Sequence, residues 1–280
     1  MSAPVEDRDA RPPSLIRRRP ELILSPIVLV GLIVLWDVLT RRMGVPVFIL
    51  PPPMDVWLSL VAGLSVSPFN AGGFLYHTAI TMWEALLGFL IGSSVGIMLG
   101  FLIAYSRLFE KLALPYIVGF QSLPKVALAP LFVIWFGFGI EGKVMITSVI
   151  TFFPLLVNSI AGYHSVDPDR IDLARSCNAS DFQILRKIIL PSALPFLFAG
   201  LNVASVLAIL GAIVGEFVGA RSGLGVLLMQ YNQAMQIAPM FAILLILGVV
   251  GYVSNVAIRL LERRFCFWAQ RGSHFTDGQG

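Results

Sequence analysis

The side chains best placed to do chemistry are a few polar groups within long apolar stretches. Lys125 lies in such a stretch, with Gln121 and Ser122 shortly before it, and Asn158 and Glu216 lie in later stretches. An ammonium group at membrane depth is costly and by default indicates function, although a lysine at a kink can also extend to the aqueous interface. We predict that these five residues are candidates for lining a solute pathway. Lys125 would then be the counter-charge for an anionic solute.

The other reading of these polar groups is structural. The amides of Asn158 and Asn202 can equally form hydrogen bonds between helices, and the sequence does not separate the two uses. Asp37, Glu84 and Glu216 lie near the ends of their apolar stretches. From this depth we expect interfacial carboxylates in contact with water.

Catalytic chemistry of the common kinds is not indicated. The sequence has two cysteines and three scattered histidines, with no His-Glu-x-x-His and no Cys-x-x-Cys motif. Residues 137–143 match the first seven positions of a phosphate-binding loop, but Val144 stands where a hydroxyl group for Mg²⁺ is required. We therefore predict no catalytic, cofactor-binding or metal-binding residues and no enzymatic activity in this chain.

The composition indicates the elements that hold these residues. Apolar residues make up 57% of the 280 residues and charged residues only 13%, whereas soluble domains contain about 45–50% apolar residues. Because a transmembrane helix needs about 20 residues, the chain has room for roughly six. The sequence predicts an all-α, polytopic membrane protein with about six transmembrane helices.

The positions and orientation of these helices follow from apolar runs and basic residues. We predict spans within residues 22–39, 78–105, 112–140, 144–163, 195–220 and 238–258. Fifteen of the 20 basic residues lie in the two tails and in the segments after the second and fourth spans. Because positive charge concentrates on the cytoplasmic side, both termini are predicted to be cytoplasmic.

Two local patterns, regularly spaced glycines and prolines within a span, predict how the spans pack against one another and where one of them is interrupted. Glycines recur every four residues at positions 88, 92, 96 and 100, and again at 211, 215 and 219. Such stripes let helix backbones approach closely in a membrane. The third span is longer than one straight crossing and contains Pro124 and Pro130, so we predict an interruption at residues 122–125.

The segment 164–195 is the one sizeable polar segment between spans, and it carries strong helix signals. Asp167 precedes a proline, which is typical of a helix start, and Asn178 can adopt the left-handed conformation that ends a helix. Ser180 and Gln183 form a capping box for a second helix, which Pro191 is expected to stop. The apolar face of that second helix is predicted at Phe182, Leu185 and Ile189.

This helix–turn–helix is not predicted to bind DNA. Its four basic residues are offset by four aspartates, so the local charge is near zero, whereas nucleic-acid binding needs an excess of Lys and Arg. It is also held between two spans. A protein-docking loop is the better interpretation, and no nucleic-acid partner is expected.

The loop resembles the EAA loop of permease subunits from bacterial ABC importers. That motif reads Glu-Ala-Ala, three residues, Gly, nine residues, Ile, any residue, Leu, Pro. Its positions here are held, in order, by Asp172, Leu173, Ala174, Asn178, Ile188, Leu190 and Pro191. Further segments resemble the nitrate/sulfonate/taurine-type permeases: 51–53, 123–131, 135–139, 215–220 and 222–225.

The resemblance implies a function and a set of partners. It implies a cell inner (plasma) membrane permease that forms the pathway for a small solute such as nitrate, a sulfonate, taurine or a pyrimidine or vitamin precursor. The partners implied are a cytoplasmic ATP-binding subunit at the loop, an extracytoplasmic solute-binding protein and a second permease copy. ATP hydrolysis would belong to the separate subunit. The alternative is a secondary transporter or channel that works without an ATPase.

The predicted domain organisation is simple. Residues 1–20 are expected to be a disordered cytoplasmic tail, because they are polar and rich in Arg and Pro. Residues 21–265 form a single transmembrane domain, and 266–280 form a cytoplasmic C-terminal tail.

Overall fold

A computed structural model describes residues 21–268. The predicted N-terminal tail and residues 269–280 of the C-terminal tail lie outside this range. Within it the chain is helical, with no strand. The helices are α1 (Glu21–Arg41), α2 (Pro53–Ser65), α3 (Phe74–Ala104), α4 (Arg107–Ser122), α5 (Ala129–Phe136), α6 (Ile140–His164), α7 (Pro168–Ser176), α8 (Asp181–Ile184), α9 (Leu190–Gly219), α10 (Leu224–Gln233) and α11 (Ile237–Phe265).

Helix α6 is the centre of the fold and packs between α3 and α9. The glycine stripe of α3 makes this possible. A Cβ atom at Gly88 would overlap the side chain of Thr147, and one at Gly92 would overlap Thr151 and the backbone of Ser148. Gly96 and Gly100 press against α6 in the same way, and Gly211 and Gly215 of α9 contact its other side. The predicted role of both stripes in close helix packing is confirmed.

The predicted break in the third span is confirmed. Helix α4 ends at Ser122, Leu123 is extended (φ −71°, ψ 137°), and a 3₁₀ turn over Lys125–Leu128 leads into α5. The two halves meet at 81°. The cause is Pro124, which lacks a backbone N–H and disfavours helical geometry in the residue before it. Lys125 therefore lies at a corner rather than inside a straight helix.

Pro191 does not stop a helix, and this expectation was wrong. Residues Asp181–Gly219 form one continuous helical run of 39 residues. A π-helical turn over Leu185–Ile189 comes just before the proline, and the N–H of Leu190 bonds to the carbonyl of Leu185. A proline in a helix clashes with the carbonyl four residues earlier. The wider π turn relieves this clash, so the helix continues.

Within residues 21–268, four helical runs are long and apolar enough to cross a membrane, and the bent pair of α4 and α5 would make a fifth. The four are α3, α6, the run from α8 to α9, and α11. Six spans and the orientation of the termini stay predictions. Helices α2 and α10 were not predicted from the sequence. They pack with α11 around Phe74, Leu224 and Ile243.

Candidate translocation and coupling sites

Three of the predicted pathway residues line one cleft beside the break between α4 and α5. The cleft measures about 500 Å³ and is bordered by Gln121, Lys125 and Asn158, together with apolar side chains of α6 and α9. The Lys125 ammonium donates to the backbone carbonyl of Gln121 (3.1 Å) and lies 4.9 Å from the ring centre of Phe153. Asn158 Nδ2 donates to the carbonyl of Pro154 at 2.8 Å.

The charge of this cleft comes from a single lining residue. Lys125 is the only charged side chain among the described residues that line it. Its ammonium contacts a carbonyl and an aromatic face, both of which tolerate a cation without neutralising it. The cleft therefore presents one positive charge, and an amide, within mostly apolar walls.

The other two predicted pathway residues lie elsewhere. Ser122 is exposed and its hydroxyl donates to the carbonyl of Val118 at 3.0 Å. Glu216 lies near the far end of α9, where 1% of its surface is exposed. The expectation of water-exposed interfacial carboxylates was wrong for Glu84 and Glu216, because both are enclosed by helices within the protein.

The first helix of the loop has the expected ends. The Asp167 side chain accepts from the N–H of Asp169 at 3.0 Å, and Pro168 occupies the first turn of α7. Asn178 adopts a positive φ of 58°, and the N–H of Ala179 bonds back to the carbonyl of Ala174. These predictions are confirmed. They give α7 a fixed start and a fixed end.

The second helix of the loop begins as predicted, but its apolar face differs. The Ser180 hydroxyl accepts from the N–H of Gln183 (3.3 Å), and the Gln183 side chain accepts from the N–H of Ser180 (2.9 Å). Ile184 and Ile189 are buried against the ends of α3 and α6. Phe182, on the predicted apolar face, is 67% exposed, whereas the buried face is centred on Ile184.

The EAA-like residues form an exposed surface with a cleft beside it. Leu173 is 67% exposed and its neighbour Asp172 is also exposed, with Arg175 Nη1 3.9 Å from Asp172 Oδ1. Leu173, Ala174, Ile188 and Pro191 border a cleft of about 460 Å³. Two basic residues, Arg170 and Lys187, complete its rim, and Asn178 and Leu190 are exposed nearby. All seven positions of the motif are thus exposed or line this cleft, and Ala174, Ile188 and Pro191 are half-buried.

A buried polar network at the opposite end of α6 was missed from the sequence. It consists of His77, Thr81 and Glu84 of α3, Lys143 of α6 and Glu216 of α9, all at most 7% exposed. The Lys143 ammonium forms an ion pair with Glu84. The signal was available, because positions 77, 81 and 84 continue the glycine stripe of 88–100 toward the start of α3. Read separately, each polar residue looked interfacial.

Hydrogen bonds of this network attach the turn between α9 and α10 to α3 and to the end of α9. The Thr81 hydroxyl donates to Glu216 Oε1 (2.6 Å) and accepts from the N–H of Leu224 (2.9 Å). The N–H of Gly225 donates to Glu216 Oε2 at 2.5 Å. Gly223 has φ +128°, and a Cβ atom there would overlap the Glu216 carboxylate. Glycine is therefore required at this position on both counts.

In the part of the chain that the structure describes, the His, Cys and acidic side chains do not form a metal-binding cluster. Among residues 21–268, no group of three or more His, Cys, Asp or Glu side chains could hold a metal ion. Cys177 is exposed and Cys266 is buried just beyond α11. Burial raises the pKa of the Cys266 thiol, and Glu262 adds to this effect, so the thiol stays protonated. Lys143, the last residue of the segment 137–143 that resembles a phosphate-binding loop, forms a buried ion pair with Glu84.

A comparison with known families decides the class of this architecture. Residues 92–266 match the family described as the binding-protein-dependent transport system inner membrane component. The chain belongs to this family. It is an ABC transporter permease, as the EAA-like loop predicted.

Relatives and solved structures agree with this assignment. The riboflavin transport system permease protein RibX of Chloroflexus aurantiacus is 35% identical over 96% of this chain and 98% of its own length. The putative aliphatic sulfonates transport permease protein SsuC of Bacillus subtilis is 32% identical over 88% of this chain and 86% of its own. An inward-facing structure of the MetNI methionine ABC transporter covers 76% of this chain and 94% of its own, with a TM-score of 0.55 and 22% identity, and shows the same fold.

Proposed function

We propose that this permease provides the solute pathway of an ATP-driven importer in the cell inner membrane. In this proposal six helices span the bilayer with both termini in the cytoplasm, so that the loop 164–195 faces the cytoplasm. The distribution of basic residues supports this orientation. Family membership supports the importer function.

The observation that carries the proposal is the capped, exposed α7. We propose that a cytoplasmic ATP-binding subunit holds Asp172, Leu173 and Ala174 in a groove and pushes on α7 when it closes. The side-chain cap and the left-handed Asn178 make α7 a stiff unit, and Ile184 and Ile189 attach it to the ends of α3 and α6. A push on α7 would therefore reach the central helices as a rigid-body movement.

Two further partners belong to the proposal. A second copy of the permease would complete the pathway, and an extracytoplasmic binding protein would deliver the solute. The cleft at Lys125 is open on one side rather than enclosed, which supports a pathway that one chain does not complete alone.

The proposed substrate is a small solute such as nitrate, a sulfonate, taurine or a pyrimidine or vitamin precursor, and the charge at Lys125 favours the anionic members of this set. Of the relatives reported above, one is named for the transport of aliphatic sulfonates, which are anions, and one for riboflavin. In the cleft, Lys125 would supply the counter-charge, and Gln121 and Asn158 would supply hydrogen-bonding groups. The exposed Ser122 and the buried Glu216 stand apart from this cleft. The single positive charge of the cleft supports an anionic solute.

The test is uptake into vesicles that contain the permease with its ATPase and saturating binding protein. Uptake should require ATP, and uptake without the ATPase would instead support the secondary transporter. Lys125→Met should lower uptake of an anionic solute at least tenfold. Lys111→Met is the control, because Lys111 is exposed and outside the cleft. Unchanged uptake by Lys125→Met would contradict the role of Lys125 while leaving the importer function standing.

A further inference from the structure

The buried polar network contains an imbalance of charge. It has two carboxyl groups, Glu84 and Glu216, and one ammonium group, Lys143. His77 contributes no charge: its Nδ1 accepts from the N–H of Gly223 (2.8 Å), so its other nitrogen, Nε2, carries the proton and donates to the carbonyl of Ala71 (2.8 Å). With both carboxyl groups ionised, the network would have a net charge of −1 in a buried site.

Among the residues that the structure describes, no other buried charge compensates for this imbalance. The nearest charged residues along the packed elements are Glu141 at the start of α6 and Arg221 in the turn before α10, and both are exposed. Helix α2, which also packs against this end of the fold, carries Asp55, and that side chain is exposed as well. An uncompensated charge is costly in a buried environment, so the network needs another positive charge or a proton.

The hydrogen bonds indicate where a proton fits. Both oxygens of Glu216 accept from fixed donors, because Thr81 receives the N–H of Leu224 and must point its own hydrogen at Glu216. Glu84 Oε1 accepts from Lys143. Its other oxygen, Oε2, is buried and has no partner among the described residues. The two carboxyl groups are neighbours in the network, because Lys143, the partner of Glu84, packs against Gly215, the residue before Glu216.

We propose that Glu84 and Glu216 share one proton, which makes the network neutral and locks the turn between α9 and α10 to α3 and α6. The proton comes from water and is carried by Glu84 Oε2, which donates to the Glu216 carboxylate. Removing it at high pH would place two buried carboxylates side by side, next to the backbone N–H groups of residues 223–225. The carboxylates would then repel each other, and the turn would loosen. This end of the permease is therefore a pH-sensitive latch.

Substitutions of the two glutamates by glutamine are expected to have opposite effects. Glu84→Gln reproduces the neutral form, since its amide can accept from Lys143 and donate to Glu216 as the proton does. Glu216→Gln cannot replace the carboxylate, because its NH₂ group would face the N–H of Gly225 or the hydroxyl of Thr81. Glu141→Gln removes an exposed carboxylate near the same end and is the matched control.

The experiment measures the unfolding of the full-length permease in lipid nanodiscs between pH 5 and pH 9. Unfolded glutamate loses its proton at about pH 4.3, whereas the native pair keeps one. The native state therefore binds more protons, and its stability falls with rising pH. Over the pH range in which the native pair keeps its proton, the unfolding equilibrium constant of wild type should rise up to tenfold per pH unit, and that of Glu141→Gln should rise in the same way. The unfolding equilibrium constant of Glu84→Gln should not show this additional rise.

Infrared spectra of the same samples near neutral pH provide an independent measurement. The band of a protonated carboxyl group should be present in wild type and in Glu141→Gln, and absent in Glu84→Gln. Glu216→Gln should be less stable than Glu84→Gln at every pH. A wild type with the same pH profile as Glu84→Gln and without the protonated carboxyl band would overturn the proposal. So would a Glu84→Gln variant that is less stable than Glu216→Gln.

Discussion

The two ends of α6 are built in different ways. Near its start, Lys143 forms a buried ion pair with Glu84 of α3, and hydrogen bonds of Thr81 and Glu216 join α3, α9 and the turn before α10. Near its end, the loop 164–195 is attached by a small apolar cluster and exposes Asp172 and Leu173. The buried end fixes helices relative to one another, and the loop end presents the exposed surface on which we propose that the ATPase docks. This arrangement would let a transporter subunit be rigid inside and still receive a push from outside.

The largest expected effect is at the buried end. Lys143→Met removes the one cation of the buried network and leaves the remaining carboxylate uncompensated, and breaking a buried ion pair costs about 3–5 kcal/mol. Unfolding of the purified permease in detergent measures this loss. If Lys143→Met proved as stable as the surface variant Lys111→Met, the network would not hold these helices together.

A smaller loss is expected where α3 and α6 touch. Gly92→Val forces a side chain into Thr151 and the backbone of Ser148, and overpacking of this kind costs about 1–3 kcal/mol. Gly248→Val is the matched control, because nothing lies within 4 Å of a Cβ atom at that position in α11. Equal unfolding midpoints for the two variants would argue against the close contact of α3 with α6.

A still smaller and local effect is expected in the loop. Ser180→Ala removes the capping hydroxyl of α8 and should cost about 1 kcal/mol. Hydrogen exchange should speed up in residues 180–190 but not in α3 or α6. Ser176→Ala, which removes only a hydrogen bond to the carbonyl of Asp172, is the control and should leave this exchange unchanged.

Features with a short-range cause could be predicted from the sequence. The caps at Asp167 and Ser180, the left-handed Asn178 and the break at Pro124 depend on a few adjacent residues, and the structure has all of them. The glycine stripes were equally visible, because helical spacing places them on one face whatever they pack against. The cleft residues Gln121 and Lys125 were found because they flank that same break.

Features that depend on distant partners were missed. Glu84 and Glu216 are 132 positions apart in sequence, and their burial follows from the way α3 and α9 meet on α6. The continuation of the helix through Pro191 was missed because the five-residue π turn before it can absorb a proline without a strong sequence signal. The buried face of α8, centred on Ile184, was missed because contacts with the ends of α3 and α6 decide which side of this short helix is buried.

The most direct test of the account concerns Leu173. Leu173→Glu places a charge on the surface proposed to dock on the ATPase, while folding should be unaffected because this side chain is exposed. Leu108→Glu is the control, because Leu108 is equally exposed and lies near the same end, where Glu110 contacts His164. Co-purification of the ATPase with the permease should fall at least tenfold for Leu173→Glu and stay unchanged for Leu108→Glu. Retention of the ATPase and full ATP-driven uptake by Leu173→Glu would contradict the proposed coupling surface.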